Sequence, residues 1–100
     1  MKERMVTLET LRHERRAEIL RLAETHGARN VRVFGSVVRG ENREDSDLDL
    51  LVDFDKGRSL FDLARLKGDL EDLLGVNVDV VTLGGLHYIR DHVLAEALAL

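Results

Sequence analysis

The sequence of 100 residues predicts an α+β fold in which helices cover one face of a small mixed β-sheet of three or more strands. Short runs rich in β-forming residues alternate with longer segments in which apolar residues recur at helical spacing. Glycines and polar turns separate these segments, and no repeat or low-complexity tract interrupts them. We therefore expect a single domain over residues 1–100.

Composition narrows the classes of function. The chain has 15 Lys and Arg against 19 Asp and Glu, a formal net charge of −4, and only 4% aromatic residues. Stable nucleic-acid binding needs a basic groove with stacking aromatics, so we do not expect it here. The absence of cysteine excludes disulfide scaffolds and thiolate zinc, and it suits a reducing compartment. No signal-like or membrane-spanning apolar stretch is present, so we expect a cytoplasmic protein.

The first element predicted is one amphipathic helix over residues 8–26, with Thr7 as its N-cap and Gly27 at its end. Its apolar positions are Leu8, Leu11, Ile19, Leu22 and Ala23. A short strand follows over residues 31–34, where Val31, Val33 and Phe34 favour β structure and Gly35 begins a turn.

The second strand is predicted over residues 47–54, because apolar and acidic residues alternate there. The inward positions are Leu48, Leu50, Val52 and Phe54, and the other face carries Asp47, Asp49 and Asp53. By strand rise, Asp53 lies about 13 Å from Asp49, so we expect it to face solvent.

The remaining elements are a helix, a strand and a final helix. Ser59 and Asp62 resemble a capping box, and Gly75 ends the helix that they open. Its apolar stripe comprises Leu60, Leu63, Leu66, Leu70, Leu73 and Leu74. Residues 76–81 form the third strand, and helical spacing resumes over residues 86–100 after the glycines at 84 and 85.

A candidate metal site lies on the acidic face of the second strand. Residues two apart in a strand point the same way, so Asp47 and Asp49 share a face, and a suitably registered Asp79 on the neighbouring strand can join them. Three carboxylates repel unless a cation is present, and such hard oxygen ligands suit Mg²⁺ or Mn²⁺. Taken alone, alternating Asp residues are more often simply a solvated face.

A candidate phosphate cradle precedes the acidic strand. Gly35 allows the backbone to approach an anion closely, Ser36 offers a hydroxyl donor, and the turn that follows presents N–H groups. Arg39 adds a positive charge nearby, although it could equally pair with Glu44 or Asp45.

The two features together form a family motif. Residues 35–40, Gly-Ser-Val-Val-Arg-Gly, are followed after five residues by Ser-Asp-Leu-Asp-Leu over residues 46–50, and this pattern resembles the signature of the polymerase-β-like nucleotidyltransferase superfamily. Residues 78–81 resemble that family's third-carboxylate strand. The resemblance covers residues 31–82, and the short remainder is similar to the minimal members of the family. Val38, where the family usually has a small residue, is a mild departure.

The resemblance implies the roles of individual residues. Asp47 and Asp49 would bind two Mg²⁺ or Mn²⁺ ions, and Asp79 would help to hold the catalytic ion and act as the base. ATP would be the nucleotide donor, with its β- and γ-phosphates on the Gly35–Ser36 turn. The predicted nucleotide-binding set is Gly35, Ser36, Arg39 and Ser46.

The resemblance also implies an activity and a partner. Minimal members are often antitoxins paired with a small all-helical toxin of the HEPN type. We therefore expect transfer of a nucleoside monophosphate, AMP from ATP, to a hydroxyl of such a partner. The alternative is a binding module that neutralises the partner by complex formation alone. A small-molecule or RNA acceptor has less support, since no acceptor pocket or basic groove can be recognised.

One motif points the other way. Arg21 and His26 fit the Arg-x4-His spacing of HEPN ribonucleases, which would make this chain the toxin. HEPN domains are all-helical, whereas this sequence has three β-type runs, so the sequence disfavours that interpretation.

Overall fold

The computed structural model describes residues 6–41, 43, 46–83 and 90–100, with the backbone alone at residue 90. Its elements are α1 (Leu8–His13), α2 (Arg16–Thr25), β1 (Ala28–Phe34), α3 (Ser36–Arg39), β2 (Leu48–Phe54), α4 (Leu60–Leu74), β3 (Val78–Val81), α5 (Arg90–Glu96) and β4 (Leu98–Ala99). In the described part of the chain, no helix is long and apolar enough to cross a membrane. The predicted Gly84–Gly85 break lies outside the described residues.

The four strands form one mixed sheet in the order β3-β2-β1-β4. Strand β2 pairs in parallel with β3 and antiparallel with β1, and β4 pairs antiparallel with β1. Helix α4 makes the crossover that a parallel pair requires. The α+β class and the mixed sheet are thus confirmed. In this register Asp49 lies between Phe34 on one neighbouring strand and Asp79 on the other.

The main core lies between one face of the sheet and helices α1, α2 and α4. The sheet contributes Leu48, Leu50 and Val52, each at most 1% exposed, while α2 and α4 contribute fully buried Ile19 and Leu66. Helix α5 was expected on this face too, but it packs on the other one. There its Val93 contacts Leu51. Leu51 lies on the opposite face of the sheet from Leu50 and Val52, and it is nevertheless fully buried.

The first predicted helix is wrong in one respect, because it is two helices. The chain bends at residues 14 and 15, where the N–H groups of Glu14 and Arg15 both donate to the Thr10 carbonyl. No large apolar residue lies between Leu11 and Ile19, and the bend allows both to be completely buried. Two helices therefore bury what one straight helix would place on diverging faces.

Other boundaries follow tertiary contacts. Strand β1 begins at Ala28, three residues earlier than predicted, whereas β3 begins at Val78, two residues later. The predicted terminal helix ends at Glu96, and the next residues form β4, because the free side of β1 offers backbone hydrogen bonds there. Leu60 was assigned to the core stripe but is 81% exposed, since the first turn of α4 projects beyond the packed region.

His26 has a structural position at the end of α2. It is the C-cap of that helix, and its Nε2 lies 2.6 Å from Oδ2 of Asp69 on α4. This contact joins two core helices. Together with the four-stranded sheet, it accounts for the histidine without the all-helical ribonuclease interpretation.

Candidate active site

Two carboxylates meet where β2 and β3 run side by side. Asp49 and Asp79 are register partners on neighbouring parallel strands, and the negative charge of Asp79 acts on the Asp49 carboxylate. Both point away from the main core, because Leu48 and Leu50 on β2 and the valines beside Asp79 on β3 fill the opposite face. Asp47 lies just before β2 and is exposed. The alternation of the sequence therefore positions this pair, as predicted.

The electrostatics of the pair are unfavourable without a cation. Partial burial, followed by the negative charges of Asp79 and Asp47, raises the pKa of Asp49 to about 6 from its ordinary value of 3.8, against a smaller lowering by Arg39. The Asp49 carboxylate is therefore costly to ionise at neutral pH in the protein alone. A divalent cation would favour the ionised form.

The donor set suits Mg²⁺ or Mn²⁺ when it is shared with a substrate. Within the described residues, no three Asp, Glu, His or Cys side chains are arranged to hold an ion by themselves. Mg²⁺ is usually bound through one or two carboxylates together with waters and substrate phosphates, not by a complete protein cage. Asp49 and Asp79, with Asp47 at the rim, supply carboxylates of this kind. The residues thus fit an ion that binds with a triphosphate.

The Gly35 turn lies directly against Asp49. Gly35 has φ +82°, and a β-carbon built there would lie 2.2 Å from Oδ2 of Asp49. Only glycine fits that approach and that backbone angle without strain. Ser36 begins α3 immediately afterwards, and its hydroxyl has no hydrogen-bond partner among the described residues. The two predicted phosphate-binding residues are therefore adjacent to the carboxylate pair.

Arg39 is paired with two carboxylates. Its Nε donates to Oε1 of Glu41 at 2.9 Å, and its Nη1 donates to Oε1 of Glu96 at 2.5 Å. Hydrogen bonds to Glu41 and then Glu96 raise the pKa of Arg39. The alternative partners expected from the sequence, Glu44 and Asp45, lie outside the described residues. The predicted contact of Arg39 with a nucleotide stays a prediction.

Ser46 closes a short loop with Arg43. The Arg43 N–H donates to Ser46 Oγ at 2.7 Å, and the Ser46 N–H donates to the Arg43 carbonyl at 3.0 Å. Ser46 thus fixes the approach to Asp47, the next residue in the chain. Its own contact with a nucleotide also stays a prediction.

Comparison with known proteins identifies the family. A family model described as a nucleotidyltransferase domain matches residues 16–100. The chain belongs to this nucleotidyltransferase family. Over 77 residues it is 48% identical to protein adenylyltransferase MntA of Thermococcus cleftensis, covering 77% of this chain and 78% of that protein.

Two solved structures resemble this nucleotidyltransferase. A minimal nucleotidyltransferase has a TM-score of 0.85 and 58% identity, covering 98% of this chain and 100% of that one. A toxin–antitoxin crystal structure with AMP-PNP has a TM-score of 0.72 over 85% of this chain and 71% of that one. At 19% identity, the second likeness concerns the fold alone.

Sequence reasoning missed two residues beside the candidate site, which comprises the carboxylate pair and the Gly35 turn. Lys67 on α4 donates to Oε2 of Glu71 at 2.5 Å and to the Val78 carbonyl at 2.8 Å. The pKa of Lys67 is raised by Glu71 first, and the charges of Asp79 and Asp47 add to this. The i,i+4 spacing of Lys67 and Glu71 was a usable signal. Glu96, the second residue, gave none, since 61 positions separate it from Gly35.

Two features lie away from the site. Asp53, expected to face solvent, accepts a hydrogen bond from Asn30 Nδ2 at 2.7 Å and lies 3.9 Å from the Arg32 guanidinium. A cleft of about 540 Å³ lies between α2 and the start of β1, lined by Arg21 and Asp55 among others, and it contains none of the predicted site residues. The candidate site around Asp49 is an open surface instead, because Asp47 and Asp79 are exposed.

Proposed function

We propose that this nucleotidyltransferase transfers AMP from ATP to a hydroxyl of a partner protein and releases pyrophosphate, with Mg²⁺ as cofactor. One observation carries the proposal: Asp49 and Asp79, on separate strands, meet beside a glycine turn that leaves no room for a side chain. A triphosphate needs such an approach of backbone to phosphate, and its metal needs such carboxylates.

Each residue has a proposed part in the transfer. Asp47, Asp49 and Asp79 hold the ions, which when bound neutralise phosphate charge and align the triphosphate for in-line attack. Gly35, which has no side chain, lets the backbone come close to the β- and γ-phosphates, and Ser36 binds them through its hydroxyl. A carboxylate oxygen of Asp79 accepts the proton of the acceptor hydroxyl. At the same time, the oxygen of that hydroxyl forms a bond to the α-phosphorus. The bond from the α-phosphorus to pyrophosphate then breaks.

The proposed acceptor is a tyrosine or similar hydroxyl on a cognate all-helical toxin of the HEPN type. Support comes from the relative named a protein adenylyltransferase and from the fold shared with a toxin–antitoxin structure that contains an ATP analogue. In this role the chain is an antitoxin that silences its partner by covalent modification.

Intact-mass spectrometry of the partner tests the proposal. After incubation with this protein and Mg-ATP, we expect the partner to gain the mass of one or more adenylyl groups. The Asp49→Asn variant should abolish the gain, because it removes a metal-binding charge. Asp53→Asn, on the same strand and face but held by Asn30, is the matched control and should retain it.

The opposite result has a defined meaning. No mass gain with ATP, GTP, CTP or UTP, in a mixture where the two proteins still form a complex, would refute adenylyl transfer. It would support the non-catalytic binding module instead.

A further inference from the structure

One carboxylate from the C-terminal helix joins both ends of α3. Oε2 of Glu96 accepts a hydrogen bond from the Gly35 N–H at 2.9 Å, and Oε1 accepts one from Arg39 Nη1 at 2.5 Å. Gly35 is the N-cap of α3, and Arg39 is its last residue. The Glu96 carboxylate therefore bridges the N-cap of α3 and the side chain of its last residue.

Helix α3 needs such support. It has four residues, and isolated helices shorter than about 12 residues are marginal in water because nucleation is costly. In a capping box, a residue inside the helix accepts the hydrogen bond of the N-cap N–H. Here the acceptor comes from residue 96, on another element. The turn that bears Gly35 and Ser36 is thus stabilised by a tertiary contact.

Glu96 is itself fixed to the sheet. Three residues before it, Val93 is 2% exposed and packs on Leu51 of β2, and two residues after it, Leu98 pairs with Val33 of β1. The Glu96 side chain is only 14% exposed. The contact therefore connects the turn to the two strands that carry and flank Asp49.

Glu96 is held in its charged form by these partners. Burial alone would raise the pKa of Glu96, but the hydrogen bonds from Gly35 and Arg39, together with the charges of Arg39 and His92, outweigh burial and lower it. Charge-assisted hydrogen bonds of this kind are stronger than neutral ones. We call the two hydrogen bonds from Gly35 and Arg39 to Glu96 the brace. Both bonds are consequently present at neutral pH.

We propose that Glu96 is a positioning residue for the nucleotide site. It holds the Gly35–Ser36 turn against Asp49 and orients Arg39, without touching the substrate. The inference rests on the proposed function, because it assigns the turn to phosphate binding. It adds a requirement that the family motif does not contain: the C-terminal segment must be docked for the turn to have its shape.

A competing interpretation makes the opposite prediction. A carboxylate on an N–H and a guanidinium could imitate a phosphate and leave when ATP binds. The position of the contact favours the brace. Glu96 accepts a hydrogen bond from the N–H of Gly35 and not from Ser36, so the Ser36 hydroxyl, which is the proposed hydrogen-bond donor to the phosphates, stays without a partner among the described residues. A brace should strengthen ATP binding, whereas a displaced carboxylate should weaken it.

The test compares Glu96→Gln with Glu41→Gln. Both changes remove a carboxylate that pairs with Arg39, but only Glu96 also contacts Gly35. In the free protein, NMR hydrogen exchange of the Gly35 amide should be about tenfold faster in Glu96→Gln and unchanged in Glu41→Gln. Glu96→Ala, which cannot accept the hydrogen bond at all, should show a larger effect.

The same variants are then compared with Mg-ATP. Glu96→Gln should raise the Kd and the KM for ATP about tenfold and lower kcat less, whereas Glu41→Gln should change neither by more than about twofold. A purely structural role would lower the melting temperature and leave the KM unmoved, so melting curves accompany the kinetics.

Each outcome decides something. Unchanged exchange at Gly35 overturns the brace, whatever ATP does. Tighter ATP binding by Glu96→Gln overturns it in favour of the displaced carboxylate. A third outcome is faster exchange at Gly35 in Glu96→Gln together with no binding of ATP by the unaltered protein. That outcome would support the contact and refute the proposed function.

Discussion

Asp49 should lower the stability of the metal-free protein, and removing its charge should therefore raise stability. We expect Asp49→Asn to be more stable than the unaltered protein at pH 8 in EDTA. The folded-state pKa of about 6 and the ordinary value of 3.8 differ by about 2, which corresponds to about 3 kcal/mol. Because the carboxyl is only partly buried, solvent screening reduces this to ~1.5 kcal/mol.

The sign of the pH dependence follows from the raised pKa. Protonation of Asp49 favours the folded state, so this contribution to stability is complete below about pH 3.8 and is lost as the pH rises through about 6. The Asn side chain is neutral at every pH, so the variant keeps this contribution to stability at pH 8. The advantage of Asp49→Asn should thus be close to zero at pH 4 and reach a melting-temperature difference of roughly 6–12 °C at pH 8.

Thermal and urea unfolding at pH 4 and pH 8 provide the measurement. Asp53→Asn is the control, because Asp53 lies on the same strand face but has Asn30 and Arg32 as partners and should not become more stable on neutralisation. Equal stability of Asp49→Asn and the unaltered protein at pH 8 would refute the reasoning. So would an advantage that persists undiminished at pH 4.

Four further predictions concern the same elements. Millimolar Mg²⁺ with ATP should raise the melting temperature of the unaltered protein and not that of Asp49→Asn, and equal shifts in both would count against a metal site there. Gly35→Ala should cost about 1–3 kcal/mol of unfolding free energy in urea, because of its positive φ and the nearby carboxylate; an unchanged midpoint would contradict this. Ser59→Ala should cost about 1 kcal/mol through loss of the N-cap of α4, and Ser59→Gly only a few tenths, so equal losses would argue against capping. Lys67→Met should cost about 1 kcal/mol through the lost bond to the Val78 carbonyl, measured in urea, and an unaffected midpoint would show that the contact carries no stability.

Local patterns predicted much of the fold and of the carboxylate pair. Alternation over residues 47–54 placed Asp49 opposite Leu48 and Leu50, because successive side chains of a strand point to opposite faces. Helix α4 was recognisable because residues next to its two ends carry the signals: Ser59 and Asp62 form the capping box, and Gly75 is the left-handed C-cap. Where the physics is local, the sequence was sufficient.

The errors lie where distant contacts decide. The apolar run over residues 97–100 suits a helix or a strand, and only the free side of β1 selects β4. Leu60 has the spacing of its stripe but lies beyond the sheet that the stripe covers. Glu96 could not be assigned to the site from the sequence, because no periodicity relates residue 96 to residue 35.

The last residues of the chain also shield a strand from its surroundings. Leu98 and Ala99 cover the outer edge of β1, and the Leu100 N–H donates to the Val31 carbonyl at 2.9 Å. Arg12 donates a hydrogen bond to the Ala99 carbonyl, and Arg16 donates one to the Leu100 carbonyl. Trimming this tail would uncover a row of unsatisfied peptide groups, which is a template for aggregation or strand exchange between molecules. Truncation or proteolysis of the protein near residue 97 should therefore cause self-association as well as a less ordered Gly35 turn.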